Sequence, residues 1–190
     1  MAQVLKEEVR NRILNAAEKV FFEKDYRSAK LTEIAEEAKI PVALIYTYFK
    51  NKEGLFDAIV ESVYLNVSSA MAEEEALDGG SAWERFDKAG EKYIHKLLKE
   101  RKKLIILMDK STGTNHEKAK DELICQIQKH IELSLKRRTK EKYDPMLSHI
   151  LASNFTEGLL EIARHYQNDT WARNMLRLIS QCYYKGVESL

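Results

Sequence analysis

Backbone breakers are scarce in this chain, with seven glycines and two prolines among 190 residues. That scarcity excludes a strand-rich fold built on many tight turns and leaves room for long helices. Cysteine is rarer still. Cys125 and Cys182 stand far apart and form no CxxC, so two free thiols in a reducing compartment are expected. Long apolar runs are also missing. The longest is Leu104-Ile105-Ile106-Leu107-Met108, far short of the roughly 20 residues a bilayer demands. Lys6, Glu7, Glu8, Arg10 and Arg12 leave no apolar signal-peptide core near the N-terminus. A cytoplasmic protein without a membrane partner is the expectation. Charge of one sign is lacking as well, because 31 Lys and Arg face 30 Asp and Glu for a net +1. Near-neutrality does not exclude a nucleic-acid partner, which needs positive groups on one face only.

What the chain does have is helical periodicity. Hydrophobic residues make up 44% of it, enough to bury a core. Val9, Ile13, Ala16, Ala17, Val20 and Phe21 repeat at helical spacing and predict a first helix over about 5–24. Leu31, Ile34, Ala35 and Ala38 predict a short second helix. A third runs from about Pro41 to Tyr48, since proline suits a first helical position. Asn51 is placed to cap a long fourth helix over about 52–77. Asp78-Gly79-Gly80-Ser81 is the clearest break, with Ser81 as the next cap. Further helices follow at about 81–98, 101–110, 116–139, 145–166 and 169–189. The expected architecture is all-α with about nine helices: a head over 1–50 and a helical body over 51–190.

Three short helices joined by tight turns bury little by themselves, and their spacing fits a helix-turn-helix over residues 31–49. Ile34, Ala35, Ala38, Ile40, Ile45 and Phe49 would face inward. Thr32, Val42, Ala43, Tyr46, Thr47 and Tyr48 would face outward. The segments RILNAAEKVFFEKDY (12–26) and LTEIAEEAKIPVALIYTYFKNKEGLF (31–56) resemble the TetR family of transcriptional regulators, IYTYFKNKE being the most specific part. The resemblance implies phosphate contacts from Tyr46, Thr47 and Tyr48, whose hydroxyls can donate to phosphate oxygens. It implies another from Lys52, a cation at a helix amino end that makes sense if an anion arrives there. Val42 and Ala43 fall where the family reads bases. They can touch thymine methyls but cannot make bidentate pairs, so Thr32, Thr47 and DNA shape are expected to carry specificity. The sequence departs from the family at Asp25 and Lys39, where glycine is usual, at Pro41 in place of a serine cap, and at Lys30 in place of threonine.

In the body, the apolar residues of the last two helices cover more than one face, and a helix apolar on two sides must bury both. By resemblance, Ile150, Leu151, Leu159, Trp171, Met175, Ile179 and Tyr183 would form a homodimer bundle, setting two heads about one DNA turn apart on a near-palindromic operator. The resemblance also implies a pocket for a small-molecule effector. Tyr64, Trp83, Phe86, Tyr93, Met108, Asn154 and Phe155 are candidates for its wall, with core packing as the competing role for each. The five histidines show no metal spacing, and no cofactor or metal is expected. The basic run Lys136, Arg137, Arg138, Lys140 and Lys142 reads as a solvated helix end rather than a second DNA surface. No nucleophile–base pair or phosphate loop supports an enzyme. Besides a ligand-released repressor, one alternative stands: a helical small-molecule binder that has lost DNA function.

Overall fold

The structure is a computed structural model that describes residues 2–138 and 141–190, so the basic run before Tyr143 lies partly outside the described residues. Among the described residues there are nine helices and no strand. They are α1 (Ala2–Glu23), α2 (Leu31–Glu37), α3 (Val42–Tyr48), α4 (Lys52–Glu75), α5 (residues 82–99), α6 (Arg101–Asp109), α7 (Ala119–Arg138), α8 (Pro145–Arg164) and α9 (Asp169–Glu188). The all-helical expectation holds, and most element ends agree within two residues.

Two differences have local causes. α3 begins at Val42, and Pro41 stands before it as the N-cap in extended conformation (φ −63°, ψ 141°) rather than as the first helical residue. α7 begins at Ala119 rather than near residue 116. Ser111 and Thr114 hold the preceding loop in a conformation of its own: Thr114 Oγ1 donates to the Ser111 carbonyl at 2.7 Å and accepts from the His116 amide at 2.9 Å. Such side-chain to backbone bonds compete with helix formation.

The chain forms two compact units, Met1–Tyr64 with Lys102–Glu117, and Leu65–Arg101 with Lys118–Leu190. In the first, Ile13, Ala17 and Phe21 of α1, Ile34 of α2, Ile45 of α3 and Leu55 and Phe56 of α4 are buried. Leu104, Ile105, Ile106 and Leu107 of α6 are buried in succession. A helix apolar on every side has to be covered on every side. The loop after α6 is tied to the rest of this unit, with the Tyr26 amide donating to the Lys110 carbonyl at 3.0 Å. The Asn115 amide also donates to Glu53 Oε1 at 3.3 Å.

In the second unit, the Asp144 carboxylate accepts from the Met146 amide at 2.8 Å and so caps α8, with Pro145 in its first turn. The Asn168 side chain accepts from the Trp171 amide at 2.9 Å and caps α9. Ser81 and Glu84 form a reciprocal capping box at the start of α5. Within α5 one π-helical turn spans Phe86–Gly90. Gly90 is required there, since a Cβ would stand 2.8 Å from the Phe86 ring.

Candidate nucleic-acid interface

The turn between α2 and α3 is built by the backbone. Ala38 caps α2, the Lys39 amide donates to the Glu36 carbonyl, and the Ile40 amide donates to the Ala35 carbonyl, both at 3.0 Å. This Schellman closure needs a left-handed residue. Lys39 supplies it at φ 54°, and Asp25 does the same in the α1–α2 turn at φ 118°. Both positions are those where the family would place glycine. Asp25 repays part of the strain, since its Oδ1 accepts from the Ser28 amide at 2.7 Å. That bond, with Lys110 nearby, holds the Asp25 carboxyl below its ordinary pKa. At the start of α2, Glu33 accepts from the Lys30 amide at 3.1 Å and from Lys24 Nζ at 2.7 Å. A glutamate thereby supplies the capping that the side chain of Lys30 cannot.

Ile34, Ala35, Ala38, Ile45 and Phe49 are buried and Ile40 is half-buried, so the inner face is the expected one. The outer face carries Thr32, Ala43, Tyr46 and Thr47, all exposed, with Val42 and Tyr48 half-buried at its edge. Tyr46 is 55% exposed, unusual for a ring that large. Asn51 Oδ1 accepts from the Gly54 amide at 2.8 Å and caps α4 as expected. Lys52 opens that helix half-buried, with Nζ 4.4 Å from the centre of the Tyr26 ring. Burial lowers the Lys52 pKa, while Asp25 and Glu33 oppose the shift. Arg10 was not singled out by periodicity, yet its guanidinium lies 5.5 Å from the Phe49 ring at the end of α3. Only its cationic character in α1 was visible beforehand. What pairs it is a tertiary contact.

The candidate pocket residues are divided between the two units. Tyr64 and Met108 belong to the first unit, where the Tyr64 hydroxyl bonds His116 Nδ1 at 2.9 Å and His116 Nε2 bonds Asp57 at 2.8 Å. The other five belong to the second unit. Phe86 and Phe155 are buried there in one aromatic cluster with Tyr183 and Tyr184: Phe86–Tyr184 at 5.0 Å, Phe155–Tyr183 at 4.6 Å, and Trp83 at 6.1 Å from Phe86. Tyr93 stands apart and donates to Glu73. Asn154 is exposed on α8.

The centre of the cluster is a group the periodicity missed. Glu74 is 5% exposed, and Tyr184 Oη lies 3.4 Å from each of its carboxylate oxygens. His130 Nε2 stands 3.2 Å from Glu74, and that bond raises the imidazole pKa against the opposing effect of burial. Burial and the Glu74 charge push the Tyr184 phenol well above its ordinary value.

Among the candidate dimer residues, Ile150 is 48% exposed, and Leu151, Trp171, Met175, Ile179 and Tyr183 are half-buried. Leu159 is 5% exposed, so it fills the core of this chain rather than an outer face. Part of Ile179 packs at home too, where a Cβ on Gly158 would lie 3.5 Å from it.

Comparison with known proteins places this geometry. The chain is 39% identical over 64 residues to the uncharacterized HTH-type transcriptional regulator YvkB of Bacillus subtilis, covering 34% of either chain. It spans about a third of the length of the curated relatives it matches. The fold is that of NalD, the secondary repressor of the MexAB-OprM multidrug efflux pump in Pseudomonas aeruginosa, at TM-score 0.64 and 22% identity, covering 92% of this chain and 96% of that one. The regulator FadR from Bacillus subtilis, solved in complex with stearoyl-CoA, shares it at TM-score 0.60 and 17% identity, covering 92% and 97%. Residues 13–59, from the core of α1 to the first turns of α4, match the family described as bacterial regulatory proteins, tetR family.

Proposed function

We propose that the chain is a cytoplasmic transcriptional repressor, not an enzyme, that grips near-palindromic operator DNA as a homodimer and lets go when a small-molecule effector binds. The observation that carries this reading is the outer face of α3. Tyr46 and Thr47 stand in solvent beside Tyr48, and the next helix opens with Lys52. Hydroxyls, a capped helix amino end and an ammonium are the groups that position a protein on a sugar–phosphate backbone. Thr32 and Thr47 would then reach base edges, and Val42 and Ala43 thymine methyls, with DNA shape supplying the remaining discrimination.

Residues 1–50 are the DNA-binding part in this proposal, and 51–190 bind effector and the second subunit. Supporting the dimer, α8 and α9 leave Met146, Ile150 and Leu178 in water, beside the half-buried Leu151, Trp171 and Met175. Supporting an effector, the neighbour of like fold from Bacillus subtilis holds stearoyl-CoA. The aromatic residues Trp83, Phe86 and Phe155 offer the apolar surface that a pocket would use. An effector that binds only the DNA-incompetent state would release the operator by differential affinity.

The test is footprinting on the DNA upstream of the protein's own gene, alongside the double variant Tyr46→Phe, Lys52→Ala. The wild type is expected to protect two half-sites about one helical turn apart. The variant should bind at least about tenfold more weakly, with a shallower salt dependence. Failure of the wild type to bind any duplex at any salt concentration overturns the reading.

A further inference from the structure

We infer that Tyr26 is the positioning residue for the phosphate contact of Lys52, holding the ammonium at the amino end of α4 against the face of its ring. The inference rests on the DNA-binding reading above. A free lysine side chain loses rotamer entropy when it meets a phosphate, so a seat prepared in advance strengthens the contact. Lys52 has such a seat, with Nζ 4.4 Å from the Tyr26 ring centre.

The ring is itself immobilised. It stacks on Phe21 at 5.9 Å and meets Phe56 edge-on at 5.3 Å, and both phenylalanines are fully buried. Its backbone is fixed on one side by the left-handed Asp25. On the other side it is fixed by the bond from its amide to the Lys110 carbonyl, just past α6. The seat of Lys52 is therefore set by segment 102–117 as well as by the three-helix head.

The choice of a ring rather than a carboxylate is the telling part. Lys19 and Lys24, on α1 and just beyond its end, are each tied to a glutamate at 2.7 Å. Among the described residues, no carboxylate lies within ion-pair distance of Lys52. A carboxylate would have to be displaced before a phosphate could bind. A ring face restrains a cation through its quadrupole and leaves its charge unneutralised. The arrangement holds the ammonium while keeping it available to an incoming anion.

The experiment uses the full chain and a duplex enriched by the wild type from a random-sequence pool. Affinity is measured for the wild type, Tyr26→Phe, Tyr26→Leu, Lys52→Gln and the Tyr26→Leu, Lys52→Gln double variant. Tyr26→Phe keeps the ring and should bind within about twofold of wild type, whereas Tyr26→Leu should lose about fivefold. On the Lys52→Gln background Tyr26→Leu should cost less than about twofold more, because the group it positions is gone. In the DNA-free protein, the Lys52 Cε protons should show an upfield ring-current shift that Tyr26→Phe retains and Tyr26→Leu abolishes. Additive losses in the double variant, damage from Tyr26→Phe equal to that from Tyr26→Leu, or no ring-current shift in the wild type overturns the inference. If Tyr26→Leu does not fold, the wild-type shift and the Tyr26→Phe affinity decide alone. A wild type that binds no duplex sinks the DNA-binding reading instead, so the two failures are distinct.

Discussion

Removing the imidazole of His130 should destabilise the second unit, and the deficit should shrink as pH rises. Glu74 is 5% exposed and faces His130 Nε2 at 3.2 Å, while Glu75 lies 3.5 Å from Nδ1. Arg85 and Ser134 line the same small cavity, and Tyr184 reaches Glu74 only at 3.4 Å. In His130→Ala the carboxylate keeps those weaker neighbours and loses its closest cation. Breaking a buried pair from one side costs about 3–5 kcal/mol, and the partners that remain place this case near about 3. For a chain of this size, at about 2–4 °C per kcal/mol, the melting temperature should fall by about 6–12 °C at mildly acidic pH. The sign of the pH dependence follows from the Glu74 bond, which raises the His130 pKa above its ordinary value of 6.5. A raised imidazole contributes stability that is fully present below that ordinary value and is lost as pH climbs through the folded one. The wild type should therefore lose this contribution between mildly acidic and mildly alkaline pH, while His130→Ala has none to lose. Thermal unfolding followed by circular dichroism across that range is the assay. A deficit that widens with rising pH, or a variant as stable as wild type at acidic pH, refutes the reasoning.

Two smaller perturbations test the head. Lys39→Gly should raise the melting temperature by about 1–3 °C, because relief of a left-handed strain of about 1 kcal/mol is only partly offset by the greater freedom of glycine in the unfolded chain; a drop on thermal unfolding would show that Lys39 is not strained at its φ of 54°. Asn51→Ala should cost about 1 kcal/mol through loss of the 2.8 Å cap on the Gly54 amide, and Asn51→Asp, which keeps the acceptor, should not. Chemical denaturation of the two variants side by side decides it.

The head was legible in the sequence because its determinants are local. Asn51, three residues before Gly54, and Ser81, three before Glu84, announce their caps by spacing alone. Asp25 and Lys39 stand where the family's glycines belong, so their positive φ was readable too. Pro41 was misplaced by one residue because proline fits both the N-cap and the first helical position, and only the backbone trace separates them. The α6 run Leu104–Leu107 signalled burial without naming its cover, since a stripe that is apolar all round has no preferred face.

The body was legible in outline and opaque at its centre for one physical reason. Glu73, Glu74 and Glu75 are three identical residues in succession near the end of α4, and nothing in composition or charge separates them. Helical geometry turns successive residues about 100° apart, so three neighbours cannot all turn inward. Glu73 takes Lys92 and the Tyr93 hydroxyl, and Glu75 stays largely exposed. Glu74 turns into an aromatic cluster and is tolerated there only because α7 brings His130 and α9 brings Tyr184 to it. Those partners lie 56 and 110 residues away along the chain. A buried acid of this kind is specified by the packing of three helices rather than by its neighbours in sequence. It follows that Glu74→Gln, which keeps the shape and removes the charge, should lower the His130 pKa while disturbing the fold less than His130→Ala does. Titration of the His130 ring protons by NMR in that variant would show it, and a pKa left at its wild-type value would mean that Glu74 does not hold the imidazole.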